Sequence, residues 1–497
     1  MMRLSAATLH RLPASVARPR YPRERVTPGI VHLGLGAFHR AHQAVMTEAV
    51  LAAGGTQWGI VAASLRSPAT RDALAPQDGL YTVAVREGDD QRLQVIGAIR
   101  ALHVAPEDPD ALLRAMSHPA VRIVTLTVTE KAYCHDPATG ALDEAHPEIR
   151  HDLAEPRRPR TAAGFLVEAL RRRRAAGIAP FTVLCCDNLP ANGHLLRRIT
   201  SRLAALGDPG LGAWIADAVA FPCTMVDRIV PATTDEDRRR IAAGLGLRDD
   251  WPVVCEPFSQ WVIEDRFPAG RPDWERAGAT FTDDVAPFEL MKLRMLNGAH
   301  SALAYLGYLA GHETVAEAAS DPVFSAFLAR LWREVVPTVP APRGVDLGGY
   351  AARLLDRFRN AALRHRTAQI AMDGSQKLPQ RLLGTIRDAL AAGRPFPCLA
   401  LGVAGWMRYV AGVDERGQPI DVRDPLLPTL QAASAPGLHD ARAFASRLLD
   451  IEAVFGRDLP RDGRFRSAIE QALARLVGEG ARAAVAALAG TAAAGPR

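Results

Sequence analysis

The residues best suited to proton chemistry gather in MKLRMLNGAH, residues 291–300. Only three lysines, Lys131, Lys292 and Lys377, stand among the 60 basic residues, the rest being arginine. Arginine keeps its proton inside a protein, whereas lysine can be tuned into a neutral base. A lysine retained against that bias marks a position where a fixed charge is not enough. Asparagine is also scarce, occurring as Asn188, Asn192, Asn297 and Asn360. A neutral lysine, two amides and a histidine suit alcohol oxidation. Lys292 would take the hydroxyl proton as hydride leaves for a nicotinamide. Asn188 and Asn297 would stabilise the developing negative oxygen, and His300 would fix the hydroxyl. Lys292 must then titrate well below ~10.4, through burial or through cations such as Arg294. No metal is needed. The competing reading is an amphipathic helix with a snorkelling lysine and a surface Asn-Gly pair.

The elements that carry these residues follow from periodicity. In an α-helix each residue turns by about 100°, which sets Asn297 about 140° and His300 about 80° round from Lys292. All three can then face one cleft. Asn188 follows the apolar run FTVLCCD at the carboxyl end of a strand, where ligands of an open α/β sheet lie. Short apolar runs GIVHLGLG (29–36), WGIVAASL (58–65), VRIVTLTVT (121–129) and FTVLCCDN (181–188) alternate with helical patterns, which predicts a mainly parallel sheet. LYTVAV (80–85) and LQVIGAI (93–99) read as an antiparallel excursion. From about residue 287 long helical patterns rich in Leu, Ala and Arg take over. The expected fold is α/β: an irregular arm over 1–28, a Rossmann-like, mainly parallel sheet domain over 29–285, and a mostly α-helical C-terminal domain over 286–497. The Ala-rich end, 483–497, reads as a fraying helix.

The first strand leads into a glycine turn and a helix. Gly34 and Gly36 fit the first two glycines of G-x-G-x-x-G, which let backbone approach a pyrophosphate. The third is replaced by His39. At the end of the second strand, Arg66 and Ser67 stand where an acid would bind the ribose hydroxyls of NAD. Arg66 could instead take the 2′-phosphate of NADP, so both cofactors stay open. His39 and His42 are spaced as HxxH, but a metal site would want further ligands; packing at the helix start is the better reading.

Composition excludes several classes. The 497 residues, 48% hydrophobic and 23% charged, are ordinary for a soluble globular protein with two or three domains. The formal charge of +6 is dispersed, and the densest cluster, RRRR at 171–174, reads as a solvated helix end rather than a nucleic-acid contact. Six scattered cysteines without ligand spacing suggest reduced, buried thiols in a cytoplasmic protein. The N-terminus lacks a signal-peptide pattern, and no run approaches the ~20 apolar residues of a membrane span. The partner expected is a small molecule, with neither nucleic acid nor membrane. An apolar helical domain can cover its own cleft or meet a second subunit, so monomer and homo-oligomer are both open.

IVHLGLGAFHRAHQA, LTVTEKAYC, CCDNLPANGH, FPCTMVDRIVPA, MKLRMLNGAHSALAYLGY and QIAMDGSQKLPQR resemble, in order, the mannitol dehydrogenase family of polyol-specific long-chain dehydrogenases. The resemblance runs from about residue 28 to at least 425. It implies a metal-independent NAD(P)-dependent oxidoreductase acting on CH–OH groups. It places the general base on Lys292, the oxyanion amides on Asn188 and Asn297, the substrate-positioning histidine on His300 and a proton-path glutamate on Glu289. Cofactor contacts fall on Gly34, Gly36, Phe38, His39, Arg40, Arg66 and Asp227. Several motif versions are closest to the branch that interconverts D-mannonate and D-fructuronate with NAD. For the carboxylate of such a substrate, Arg366, Lys377 and Arg294 are the candidate cations. Mannitol or arabinitol oxidation is the alternative. Mannitol-acting members can carry arginine where Gln369 stands here. A nucleotide-binding regulator on the same fold would show a broken constellation, and here all four residues are present.

Overall fold

The computed structural model describes residues 1–136 and 139–490. The chain divides into two compact units, Met1–Ala286 and Pro287–Arg497.

The first unit is built on five parallel strands, β1 (Pro28–Leu33), β2 (Gly59–Ser64), β5 (Ile99–Val104), β6 (Ile123–Leu126) and β7 (Thr182–Cys185), in the order β5-β2-β1-β6-β7. β2, β6 and β7 are buried at every residue, as expected of strands covered on both faces. Side chains alternate between two cores: Val31, Leu33, Val61 and Ala63 enter one, and Ile30, Ile60 and Ala62 the other. β3 (Tyr81–Glu87) and β4 (Asp90–Ile96) form the antiparallel pair, and β3 also pairs in parallel with β9 (Val253–Cys255). LQVIGAI is not one strand: β4 ends at Ile96, and Ile99 already opens β5 of the parallel sheet. A third sheet joins β8 (Thr224–Asp227), β10 (Gln260–Glu264) and β11 (Thr280–Thr282), with β8 antiparallel to β10.

Residues 1–28 are part of this unit. Leu4, Leu12 and Val16 are buried with Leu80, Val95, Ile241 and Leu245. The Tyr21 hydroxyl donates to Glu48, and Arg23 donates to the Asp78 carbonyl at 2.7 Å. The RRRR cluster ends the helix Ala162–Ala175, where Arg171 and Arg172 pair with Glu168. Arg173 departs from the expected solvated end. It is buried against the Phe181 ring and donates to the carbonyls of Met116, His118 and Ala179. All six cysteines are buried, and none of them forms a disulfide.

The second unit is helical, with no strand among its described residues. Its central helix, Ala299–Leu309, packs on Pro397–Val410, where small residues let the two approach. A Cβ on Gly402 would sit 3.0 Å from that of Ala302, and one on Gly405 2.9 Å from Leu306. The last described helix is Ala481–Gly490, and 491–497 of the Ala-rich end lie outside the described residues. No described helix is long and apolar enough to cross a membrane.

Candidate active site

In the first unit a cleft of about 1010 Å³ opens at the carboxyl edge of the parallel sheet. Gly34 and Gly36 after β1, Ser64 at the end of β2 with Leu65, Arg66 and Ser67 after it, Ala105 and Pro106 after β5, and Thr127 and Val128 after β6 line it. β1 has β2 on one side and β6 on the other, so the cleft lies at the switch point of strand order, the usual ligand position in such sheets.

The two glycines do different work. Gly34 has φ +94°, and a Cβ there would lie 2.2 Å from the Thr127 carbonyl oxygen, so the fold itself demands glycine. At Gly36 a Cβ would meet nothing closer than the Gly34 carbonyl oxygen at 3.8 Å, an ordinary van der Waals contact. Gly36 lines the cleft, so its missing side chain leaves room for a ligand. This is the cradle that a pyrophosphate needs, and the residues present fit a dinucleotide. Of the cleft residues from Ser64 to Thr70, none is acidic, and Arg66 is exposed. Lys131, whose role the sequence left open, also lines the cleft.

Of the remaining nucleotide candidates, Phe38, His39 and Arg40 lie in the helix after the turn and Asp227 in β8. His39, in place of the third glycine, stacks on His32 with centroids 3.4 Å apart. His32 in turn contacts Thr125 Oγ1 at 2.8 Å and Thr127 Oγ1 at 3.0 Å. His42 places Nε2 3.0 Å from the Gln260 carbonyl and stacks on the half-buried Phe38. The HxxH pair is thus packing. Arg40 is buried, donating from Nε to the Gly36 carbonyl and from Nη1 to that of Trp251, and burial brings it down to about 10. It braces the turn from behind. Asp227, the last residue of β8, is buried opposite Gln260 of β10.

Asn188 is exposed on the loop after β7. Its neighbours Asp187 and Asn192 hold the surrounding backbone. Asp187 accepts from the Val128 and Thr129 amides and from the Tyr133 hydroxyl at 2.6 Å, which holds the cleft wall. Burial raises this carboxyl above its ordinary value. Asn192 bridges the Asp187 and Thr224 carbonyls. The signal available was scarcity: Asn192 is one of only four asparagines.

In the second unit, Lys292 opens a π-helix, Lys292–Gly298, between the α-helices Ala286–Met291 and Ala299–Leu309. The 100° step used for Asn297 and His300 does not hold across it, because i→i+5 bonding widens the turn; such segments are rare and often functional. A second π-helix, Pro379–Leu383, packs on the first, and a Cβ on Gly298 would lie 2.7 Å from the Arg381 carbonyl oxygen. Lys292 is 8% exposed, Asn297 is half-buried, and Glu289 is half-buried one helical turn before Lys292.

His300 is 7% exposed, and its Nε2 is buried without a hydrogen-bond partner. Its ring stacks on Phe358 at 5.1 Å and meets His365 edge-on at 5.0 Å. Burial, then His365 and the charges of Arg381, Arg357 and Lys377, hold His300 well below its ordinary value. His365 is half-buried, and desolvation followed by the charge of Lys377 brings it down to about 4. Lys377 donates from Nζ to the Ile370 and Met372 carbonyls, and Arg381 donates to Ser301 Oγ at 3.1 Å. The cations around His300 are therefore Lys377, Arg357 and Arg381, two of which the sequence reading missed. Of its other two choices, Arg366 pairs with Glu313 at the surface, and Arg294 is held by Asp388 at 2.6 Å and the Thr338 carbonyl.

A glycine-cradled cleft at the switch point of a parallel sheet is the arrangement of a dinucleotide-binding domain. Residues 28–276 match the mannitol dehydrogenase Rossmann domain and residues 284–477 the mannitol dehydrogenase C-terminal domain. D-mannonate oxidoreductase of Escherichia coli is 50% identical over 478 residues, 95% of this chain and 98% of that protein. Mannitol 2-dehydrogenase of Aspergillus fumigatus is 41% identical over 477 residues, 94% of each chain. Among solved structures, the ternary complex of Pseudomonas fluorescens mannitol 2-dehydrogenase with NAD and D-mannitol has a TM-score of 0.88 and 41% identity, covering 98% of this chain and 99% of that one. The chain belongs to the mannitol dehydrogenase family, oxidoreductases acting on CH–OH groups.

Proposed function

We propose that this protein interconverts D-mannonate and D-fructuronate, using NAD and a lysine general base. The observation that carries the substrate is the surrounding of His300: a buried imidazole nitrogen with no partner, beside Lys377, Arg357 and Arg381. The orphan nitrogen offers a hydrogen bond to a substrate hydroxyl, and the cations offer a carboxylate its counter-charge. The 50% identity to D-mannonate oxidoreductase supports the same reading.

Gly34 and Gly36 would hold NAD, which would supply the hydride acceptor when bound. Lys292, as the neutral amine, takes the hydroxyl proton while the carbon gives up hydride, so alcohol becomes ketone. Asn188 and Asn297 donate amide hydrogens to the oxygen as its charge develops. His300, kept neutral by burial, holds that oxygen in place. Glu289 carries the proton from Lys292 onward. A reducing compartment, the cytoplasm, is in keeping with six buried thiols that form no disulfide.

The test follows reduced-nicotinamide absorbance with D-mannonate, D-mannitol and D-arabinitol, each offered NAD and NADP. Turnover of mannonate with NAD is the expected result. Turnover of mannitol or arabinitol without mannonate overturns the substrate and supports the second reading, a mannitol 2-dehydrogenase or similar polyol dehydrogenase, which the likeness to the mannitol-bound structure favours. Preference for NADP would put Arg66 on the ribose phosphate.

A further inference from the structure

Away from the cleft-lining residues, three side chains of the first unit converge from three elements. Cys223 immediately precedes β8, Glu264 ends β10, and His194 lies near the start of the helix Asn192–Gly207. Cys223 and Glu264 face each other across the antiparallel ladder. The Glu264 amide donates to the Cys223 carbonyl at 3.0 Å, and the Cys223 amide donates to Glu264 Oε2 at 2.9 Å. The helix start is clamped to the same place. Asn192 donates to the Thr224 carbonyl and accepts from the Thr224 amide, while a Cβ on Gly193 would lie 2.5 Å from the Phe221 carbonyl oxygen. One imidazole nitrogen, one thiol sulfur and one carboxylate oxygen thereby fall within 4.8 Å of one another.

We propose that His194, Cys223 and Glu264 bind one divalent cation of the zinc class, at a site separate from the hydride-transfer residues. The donor set decides the ion. Magnesium and calcium want oxygen alone, whereas zinc accepts nitrogen, sulfur and oxygen together. Bonds of ~2.0–2.3 Å in a tetrahedron put ligand atoms about 3.5 Å apart, so the trio must close by roughly an ångström. His194 is exposed and can move that far, while Cys223 and Glu264 are held by the ladder. On binding, Cys223 releases its thiol proton to solvent, and thiolate plus carboxylate cancel the ion's two charges. Exposure on the His194 side leaves a fourth position for water. The competing contact, Arg266 to Glu264 Oε1 at 3.4 Å, is long and exposed on the arginine side, so it is weak. A bound ion would tie the helix start to β8 and β10, directly after the loop that carries Asn188.

The experiment uses the full-length protein, stripped with chelator and titrated with cobalt(II), whose thiolate charge-transfer band reports sulfur ligation. One equivalent with that band is expected for wild type. In Cys223→Ser the band should vanish, and in His194→Ala affinity should fall more than about tenfold. Zinc should displace the cobalt and raise the melting temperature of wild type but not of the His194→Ala protein. Because His194 is exposed, that variant should fold normally. Absence of the band in wild type at millimolar cobalt, or an unchanged band in Cys223→Ser, would overturn the site.

Discussion

Lys292 and its neighbours carry most of the chemistry inferred for this protein, and their side chains differ chiefly in how far burial alters them. Arg40 and Arg173 keep fixed charges that brace backbone carbonyls, each brought down to about 10 by burial. Lys292 is buried to a similar degree at 8% exposure, yet a lysine can release its proton where an arginine cannot. Replacing Lys292 with Ala should lower kcat by about 10²–10⁴-fold, the usual contribution of a positioned base. NADH binding, followed by fluorescence, should be unchanged. Lys292→Arg retains the charge and should be as inactive as the alanine variant. Substantial turnover in Lys292→Arg would show that charge, not proton transfer, is what the position supplies.

At the scale of elements, the glycine turn separates folding from binding. Gly34 sits at φ +94° against the Thr127 carbonyl, so Gly34→Ala must push β1 and the β6 loop apart. That variant should lose several degrees of melting temperature or fail to accumulate. In Gly36→Val the Cβ comes no closer than 3.8 Å to a protein atom, so the variant should melt near wild type, while its NADH dissociation constant rises about tenfold or more. Equal damage to stability from both substitutions would mean that the Gly36 space belongs to the fold and not to a ligand. The π-helix is the other element of consequence, since it sets where Asn297 and His300 point relative to Lys292, and Gly298 lets the second π-helix lie against it.

Over the whole molecule, buried ionisable groups link stability to pH. Glu48 accepts from Tyr21 and from the Gly97 amide at 2.8 Å, joining the N-terminal residues to the segment between β4 and β5. Burial raises its carboxyl to about 7. The folded chain thus holds this proton across a range in which the unfolded chain, with an ordinary carboxyl, has released it. Between pH ~4.5 and ~7 folding therefore loses stability as pH rises, by of order 3 kcal/mol from this group alone. Below that window the contribution is fully present. Glu48→Gln removes the titration, so its melting temperature should fall less than that of wild type from pH 5 to pH 8. Parallel melting curves for the two proteins would count against a raised Glu48.

Much of this protein was legible without coordinates. Continuous apolar runs announced strands buried on both faces, the change of period near residue 287 announced the helical unit, and the order of six motifs identified the family. Local chemistry suffices there, because burial pattern and turn residues are written along the chain. Other features arise only when distant segments meet. LQVIGAI divides between two sheets because β3 and β2 compete for its two halves, and residues 1–28 fold because Leu4 and Leu12 find a pocket far along the chain. The arginines that join Lys377 around His300 are Arg357 and Arg381 rather than Arg366 and Arg294, since an arginine's reach is set by helix register and by which carboxylate captures it. The π-helical turn at Lys292 was hidden for the same reason: packing against a second helix, not the propensity of KLRMLNG, decides its hydrogen bonding.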